Sequence, residues 1–159
     1  MATNQTTLEA LNARIGQELA VSDWVQIKQQ RIDDFARVIG DEQWIHVDPL
    51  RAAAESPYET TVAHGFLLLS LIGNMLRDQI EVTDSPMNLD YGLDRVRFTQ
   101  PVNASAVVRG RFVVKQVRPH DDGLLVTWDV TVERQHVDKP VCVAEWVVLY
   151  FSKAGASHR

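Results

Sequence analysis

The sequence holds a single cysteine, Cys142, among its 159 residues. Because Cys142 has no possible partner in its own chain, an intrachain disulfide is excluded and nothing indicates an oxidising compartment. No apolar run approaches the ~18 residues of a membrane span, and the first residues lack the basic start and apolar stretch of a secretory signal. We therefore expect a soluble, cytoplasmic protein that does not bind a membrane.

An excess of basic residues is also missing. The chain has 16 Lys and Arg against 21 Asp and Glu, for a formal net charge of -5. This balance makes nucleic acid an unexpected partner. There is no glycine-rich dinucleotide fingerprint, no phosphate loop and no Gly-x-Ser-x-Gly motif, which excludes the usual dinucleotide-binding, nucleotide-binding and serine-hydrolase classes. His120, His136 and His158 fall in predicted turns or the tail and form no metal-ligand grouping with Cys142, so no metal is expected.

Valine is abundant and unevenly placed. Of the 21 valines, 15 lie between Val96 and Val148, where β-branched residues favour strands. The earlier part of the chain carries helical patterns instead. A chain of this length can bury ~68–70% of its unfolded surface, which suffices for a core. Without internal repeats or a linker, the layout predicts one α+β domain over residues 1–159.

Apolar residues at helical spacing predict four helices. They cover residues 8–19, 32–39, 48–55 and 65–79. Gly40 ends the second helix, Asp48 and Pro49 begin the third, and His46 is expected in the link between them. The fourth helix is apolar on nearly every side, so other elements must surround it.

Short apolar or alternating segments predict the strands. They cover residues 24–27, 95–99, 107–118, 124–135 and 141–152. The last strand is apolar on both faces, which predicts either a central position or a covering partner subunit. Together these segments predict an antiparallel sheet curled around one long hydrophobic helix.

Polar residues suited to proton transfer are concentrated in residues 40–49. Asp41 and His46 are five residues apart across a helix end, so their side chains could converge on one small molecule. A carboxylate and an imidazole that hold one water can add or remove water, since one accepts a proton while the other donates. The alternative is structural, because an Asp after a terminating Gly and a His before a turn are common in loops.

The start of the predicted buried helix, Ala63-His64-Gly65, is a second candidate. Free N–H groups at a helix N-terminus can stabilise charge on a carbonyl oxygen, and Gly65 would let that oxygen approach closely. Gly65 could equally serve tight helix packing. His64 could act as a base or be a buried structural histidine.

Five basic residues lie on the predicted strands, namely Arg95, Arg97, Arg109, Arg111 and Lys115. They could contact the phosphates of an extended substrate or form solvated strand faces.

The order of these motifs resembles the MaoC-like hot-dog family, which includes the R-specific enoyl-CoA hydratases. The likeness rests on Gly40-Asp41, on His46 and on Ala63-His64-Gly65. It is stronger to the nodulation-protein-N-like branch, through residues 22–24, 40–49 and 88–98. The sequence departs from the family motif at Gln43-Trp44, where Asn-Pro is common.

The resemblance implies a single hot-dog domain that forms homodimers by joining sheets. It also implies that Asp41 and His46 are catalytic and hold the water that adds to trans-2-enoyl-CoA, giving (R)-3-hydroxyacyl-CoA. The backbone N–H of Gly65 would receive the thioester oxygen. No cofactor is expected, because CoA is part of the substrate. Two alternatives remain, a hot-dog acyl-CoA thioesterase and a non-catalytic subunit that binds acyl thioesters.

Overall fold

An antiparallel sheet that curls around one helix makes up most of the protein. The computed structural model describes residues 4–152. The elements in chain order are β1 (Asn4–Thr6), α1 (Leu8–Asn12), β2 (Glu18–Val21), β3 (Val25–Gln26), α2 (Gln29–Ile39), α3 (Trp44–Val47), α4 (Pro49–Glu55), α5 (Gly65–Arg77), β4 (Ile80–Val82), β5 (Asn88–Phe98), β6 (Val107–His120), β7 (Gly123–Arg134) and β8 (Cys142–Phe151).

The main sheet has the order β2-β6-β7-β8-β5, and β3 also pairs with β6. All of these pairings are antiparallel. The strand β8 lies between β7 and β5, which confirms the central position predicted from its two apolar faces. One face, including Trp146 and Val148, belongs to the main core. The other, including Val147 and Leu149, forms a second buried cluster with Leu125 and Phe151.

The helix α5 fills the concave side of the sheet. It buries five apolar side chains, namely Leu67, Leu68, Ile72, Met75 and Leu76. These residues belong to the same cluster as Phe112 of β6 and Trp128 of β7, both of which are fully buried. The predicted α+β arrangement of one hydrophobic helix surrounded by strands is therefore confirmed.

Two shorter helices end and begin where the sequence predicts. Gly40 has φ 75°, a left-handed conformation that glycine adopts readily, and its N–H donates to Ala36 O at 2.8 Å. The helix α2 therefore ends at Ile39. At the start of α4, the Asp48 carboxylate accepts a hydrogen bond from the Arg51 N–H at 3.0 Å.

The N-terminal part of the chain differs from the prediction. The helix expected over residues 8–19 ends at Asn12, and Gly16 turns the chain with φ 84°. Leu19 then lies in β2, which pairs with β6. The prediction was wrong because the free edge of β6 binds this segment as a strand, and tertiary pairing outweighs local helical spacing.

Three other details differ from the prediction or were not part of it. His46 lies within the short helix α3 rather than in a link. The strand β5 begins at Asn88 rather than near Arg95, because it pairs with β8 as far as Tyr150. The parallel pair of β1 and β4 joins Asn4 to Ile80 and has no local sequence signal. No helix within residues 4–152 is long and apolar enough to cross a membrane.

Candidate active site

Asp41 follows directly after the end of α2. Because Gly40 turns the chain out of the helix, Asp41 begins the segment that leads to α3. Its side chain is half exposed, at 51%. An accessible carboxylate in this position can contact a small molecule and exchange protons with it.

The ring of His46 is held by one hydrogen bond. Its Nδ1 lies 2.6 Å from the carbonyl oxygen of Val62. A carbonyl oxygen only accepts hydrogen bonds, so Nδ1 carries the hydrogen and donates. In the neutral ring Nε2 then has a free lone pair, which is the requirement for a proton acceptor.

The protonation of His46 is biased by its surroundings. Burial is the largest influence and lowers the pKa of His46 below its ordinary value of 6.5. The nearby His64 lowers it further, whereas the hydrogen bond to Val62 and the charge of Asp41 act in the opposite direction. The net decrease keeps the imidazole neutral near pH 7, so Nε2 is ready to accept a proton.

His64 connects the two predicted site residues. Its ring is stacked on the ring of His46, with the centroids 3.7 Å apart. Its Nε2 donates to the backbone oxygen of Asp41 at 2.9 Å and lies 3.8 Å from a carboxylate oxygen of the same residue. Residues predicted from two separate motifs therefore meet at one place.

The side chains of Asp41, His46 and His64 each offer an oxygen or nitrogen atom, and these atoms lie within 4.8 Å of one another. Such groups are potential metal ligands. However, each imidazole already uses one nitrogen on a backbone oxygen, and Nδ1 of His64 is inaccessible to solvent. We do not assign these residues as metal ligands, and the expectation of a metal-free site stays a prediction.

Gly65 is the first residue of α5 and is closely packed. A Cβ atom at this position would lie 2.7–2.8 Å from the ring of Phe98. Packing alone therefore favours glycine here. No side chain caps the N-terminus of α5, and within its first turn the Leu67 N–H already donates to His64 O at 3.1 Å. The Gly65 N–H keeps its capacity to bind an oxygen.

A cleft of about 310 Å³ lies beside Gly65. Its lining is mainly apolar and consists of Tyr58, Ala63, Gly65, Leu68, Phe98, Thr99, Gln100, Pro101 and Val102. This cleft adjoins the start of α5, and Asp41, His46 and His64 are not part of its lining.

Two residues that support α3 have no recognisable sequence signal. The side-chain amide of Gln29 donates to the backbone oxygen of His46 at 2.7 Å and to Asp33 at 2.7 Å. The hydroxyl of the buried Thr61 donates to Gln29. Because Gln29 and Thr61 are 32 residues apart, only the folded chain shows their connection.

The basic strand residues are mostly engaged elsewhere. Arg109 contacts Glu133 at 2.8 Å, Arg111 contacts Glu18 at 2.7 Å, and Lys115 contacts Glu145 at 2.7 Å. These three form part of a charged network on the outer face of the sheet. The structure therefore favours the interpretation that they are solvated strand residues.

Comparison with solved structures defines the fold class. R-hydratase PhaJ1 from Pseudomonas aeruginosa superimposes with a TM-score of 0.72 at 24% identity, covering 87% of this chain and 83% of that protein. Agreement at this level of identity establishes the architecture alone. The protein has the hot-dog fold.

Sequence relatives define the family. Residues 10–136 match the family model of the MaoC like domain. Nodulation protein N of Rhizobium leguminosarum bv. viciae is 43% identical over 148 residues, 92% of each chain. The 3-hydroxyacyl-thioester dehydratase Z of Mycobacterium tuberculosis (strain ATCC 25618 / H37Rv) is 41% identical over 141 residues, 88% of this chain and 93% of that protein. The chain belongs to the MaoC-like family, among hydratases and dehydratases.

Proposed function

We propose that the protein is an R-specific enoyl-CoA hydratase that converts trans-2-enoyl-CoA to (R)-3-hydroxyacyl-CoA. The observation that carries this proposal is the approach of Asp41 and His46 to within 4.8 Å beside the uncapped start of α5. The relative named 3-hydroxyacyl-thioester dehydratase Z, at 41% identity, supports a reaction that adds or removes water on an acyl thioester.

In the proposed mechanism, His46 and Asp41 hold one water molecule. Nε2 of His46 accepts a proton from this water as its oxygen forms a bond to C3 of the substrate. The electron pair of the double bond moves toward the thioester, whose oxygen accepts a hydrogen bond from the Gly65 N–H. C2 then receives a proton from the Asp41–His46 pair, which restores the pair and completes the addition of water.

The tautomer of His46 supports this assignment of the base. Its Nδ1–H is directed to Val62, so Nε2 is the nitrogen with the free lone pair. Asp41 would take part in delivering the proton to C2.

The proposed reaction requires no cofactor. Addition of water to a double bond causes no net oxidation or reduction, so no redox group is needed. The CoA moiety arrives with the substrate. We therefore propose that the protein's own side chains and backbone carry the whole chemical step.

We also propose a homodimer formed through β5. This strand is at the edge of the main sheet, and it exposes the large apolar side chains of Leu89, Tyr91, Leu93 and Phe98. An exposed apolar edge favours pairing with another strand. Light scattering on the purified protein should give twice the mass of one chain, and a monomeric mass would contradict this proposal.

The function is tested by supplying trans-2-enoyl-CoA substrates of increasing chain length, beginning with crotonyl-CoA. Hydration removes the conjugated enoyl-thioester absorbance, and chiral analysis of the product should find the R enantiomer. Release of free thiol without hydration would instead identify a thioesterase. Binding of acyl-CoA without turnover would identify a non-catalytic subunit.

A further inference from the structure

His64 is a buried histidine that the proposed mechanism does not use. It lies immediately before α5 and is only 4% exposed. Its Nε2 donates to the backbone oxygen of Asp41, but its Nδ1 has no hydrogen-bond partner within residues 4–152. Buried polar atoms are normally paired, so an apolar side chain would suit a purely packing role better. The other contacts of the His64 ring must therefore explain why a histidine is buried here.

Two of these contacts reach the two members of the proposed catalytic pair. One edge of the ring binds the backbone of Asp41, at 2.9 Å from the carbonyl oxygen. One face is stacked on His46, with an interplanar angle of 26°. Phe35 of α2 also contacts the ring of His64, with the centroids 5.4 Å apart and the planes tilted by 57°. A planar imidazole can make an in-plane hydrogen bond and a face contact at the same time.

The segment that carries His64 is itself firmly placed. The N–H of Val62 donates to Ile45 O at 3.0 Å, and the N–H of Ala63 donates to Val102 O at 2.7 Å. Val62 also accepts the hydrogen bond from His46 Nδ1. The same three-residue segment therefore determines the plane of the His46 ring through Val62 and covers its face through His64.

We propose that His64 is a positioning residue that sets the distance and orientation between Asp41 and the His46 ring. This inference rests on the proposed function, since it concerns the same pair. His64 does not exchange protons with the substrate. It holds the Asp41 backbone with its Nε2 and restricts rotation of His46 with its ring. Loss of either contact should misplace the pair, and catalysis is sensitive to small displacements.

Three variants separate the two contacts. His64→Phe keeps an aromatic ring against His46 but removes the donor to Asp41. His64→Gln keeps an amide donor near the Nε2 position but removes the stacked ring. His64→Ala removes both. His120→Gln is the matched control, because His120 is a partly buried histidine at the far end of β6 that bonds the Asp122 N–H.

For enoyl-CoA hydration, we expect His64→Ala to lower kcat by about 100-fold while KM changes little, because misalignment affects the transition state more than binding. His64→Phe and His64→Gln should lie between His64→Ala and the wild type, and His120→Gln should match the wild type. Circular dichroism and thermal unfolding will identify variants that remain folded. Equal kcat values in the wild type and folded His64→Ala would overturn the inference.

A second measurement does not depend on activity. The ring nitrogen chemical shifts of His46 report which nitrogen carries the hydrogen. The wild type should show the Nδ1–H form that binds Val62, whereas His64→Ala should show a mixture of both tautomers. An unchanged tautomer in folded His64→Ala would contradict positioning through the ring. If the wild type hydrates no enoyl-CoA, the proposed function fails, and this measurement still decides the role of His64.

Discussion

Ionisable side chains gather in two regions of this protein, and the two regions differ in how their charges are balanced. On the outer face of the sheet, Arg109 and Arg111 flank Glu133, and Lys115 bridges Asp129 and Glu145. Each of these groups has a partner of opposite charge and access to water. Beside α5, two imidazoles bond to backbone oxygens, and one half-exposed carboxylate faces them.

The density of charge alone therefore does not select the candidate site. The sheet network contains more charged groups, but its members neutralise one another and are screened by solvent. The smaller cluster keeps a free lone pair on His46 and lies beside the uncapped N–H of Gly65. Groups with remaining capacity for hydrogen bonds, held in partly apolar surroundings, are the better indicator of a site.

The largest effect should follow from changes to the smaller cluster. His46→Gln removes the proton acceptor, and Asp41→Asn removes its partner with little change in shape. We expect each variant to lower kcat for hydration by about 100-fold or more, as is common for loss of a general acid or base. Steady-state assays on crotonyl-CoA measure this. If either variant keeps the wild-type rate, the cluster beside α5 is no more important for hydration than the charged network on the sheet.

A smaller effect should follow from adding one methyl group to α5. In Gly65→Ala the new Cβ would meet the Phe98 ring at 2.7–2.8 Å. We expect a loss of about 1 kcal/mol in the free energy of unfolding, together with reduced activity, because overpacking displaces the helix start. Denaturant titration measures the stability.

Gly73→Ala is the matched control on the same helix. Its Cβ would lie 3.8 Å from Trp146, at ordinary contact distance. This variant should gain about 0.5–1 kcal/mol, because alanine is the better helix former. A Gly65→Ala protein as stable and active as Gly73→Ala would show that the start of α5 is not closely packed.

The pH dependence should distinguish His46 from an exposed histidine. Burial, assisted by His64, lowers the pKa of His46 below 6.5 despite the opposing effects of Val62 and Asp41. The base works in its neutral form, so kcat/KM should decline only as the pH falls below 6.5 through this lowered pKa. A profile from about pH 5 to 8 covers the range in which histidine titrates. A decline centred at or above pH 6.5 would contradict the prediction.

The smallest effect should come from the outer network. Glu133→Gln removes the carboxylate that contacts both Arg109 and Arg111. Because these groups are partly exposed, we expect a loss of about 1 kcal/mol or less in the free energy of unfolding, without a change in kcat. Thermal unfolding and the hydration assay measure the two quantities. A marked fall in kcat would show that the sheet network contributes to the site.

Local chemistry explains which parts of the fold were predictable. Gly40 and Asp48 end and begin helices through contacts with nearby residues, so their patterns are visible in the sequence. The central position of β8 followed from its two apolar faces. The segment around Leu19 was predicted incorrectly, because its strand conformation depends on β6, more than 90 residues away at Arg111.

The same distinction applies to the candidate site. The spacing of Asp41 and His46 predicted two residues that the structure places together. Gly65 directly follows His64, which contacts both of them. The support from Gln29 and Thr61, and the contact of His64 with Asp41, depend on the approach of segments that are distant in sequence. The catalytic roles of Asp41 and His46 stay predictions, which the variants described above test.

The position of β8 between β7 and β5 has a consequence for the order of folding. The strand β5 precedes β6 and β7 along the chain, yet β8 is its neighbour in the main sheet. It can join that sheet only after the chain through β8 has been made and a long loop has closed, which is a slow, non-local step. Until then the edge of β8 that pairs with β5 has unpaired backbone groups, which can bind other strands. Any pairing of two copies through β5 must therefore follow completion of the sheet within each copy.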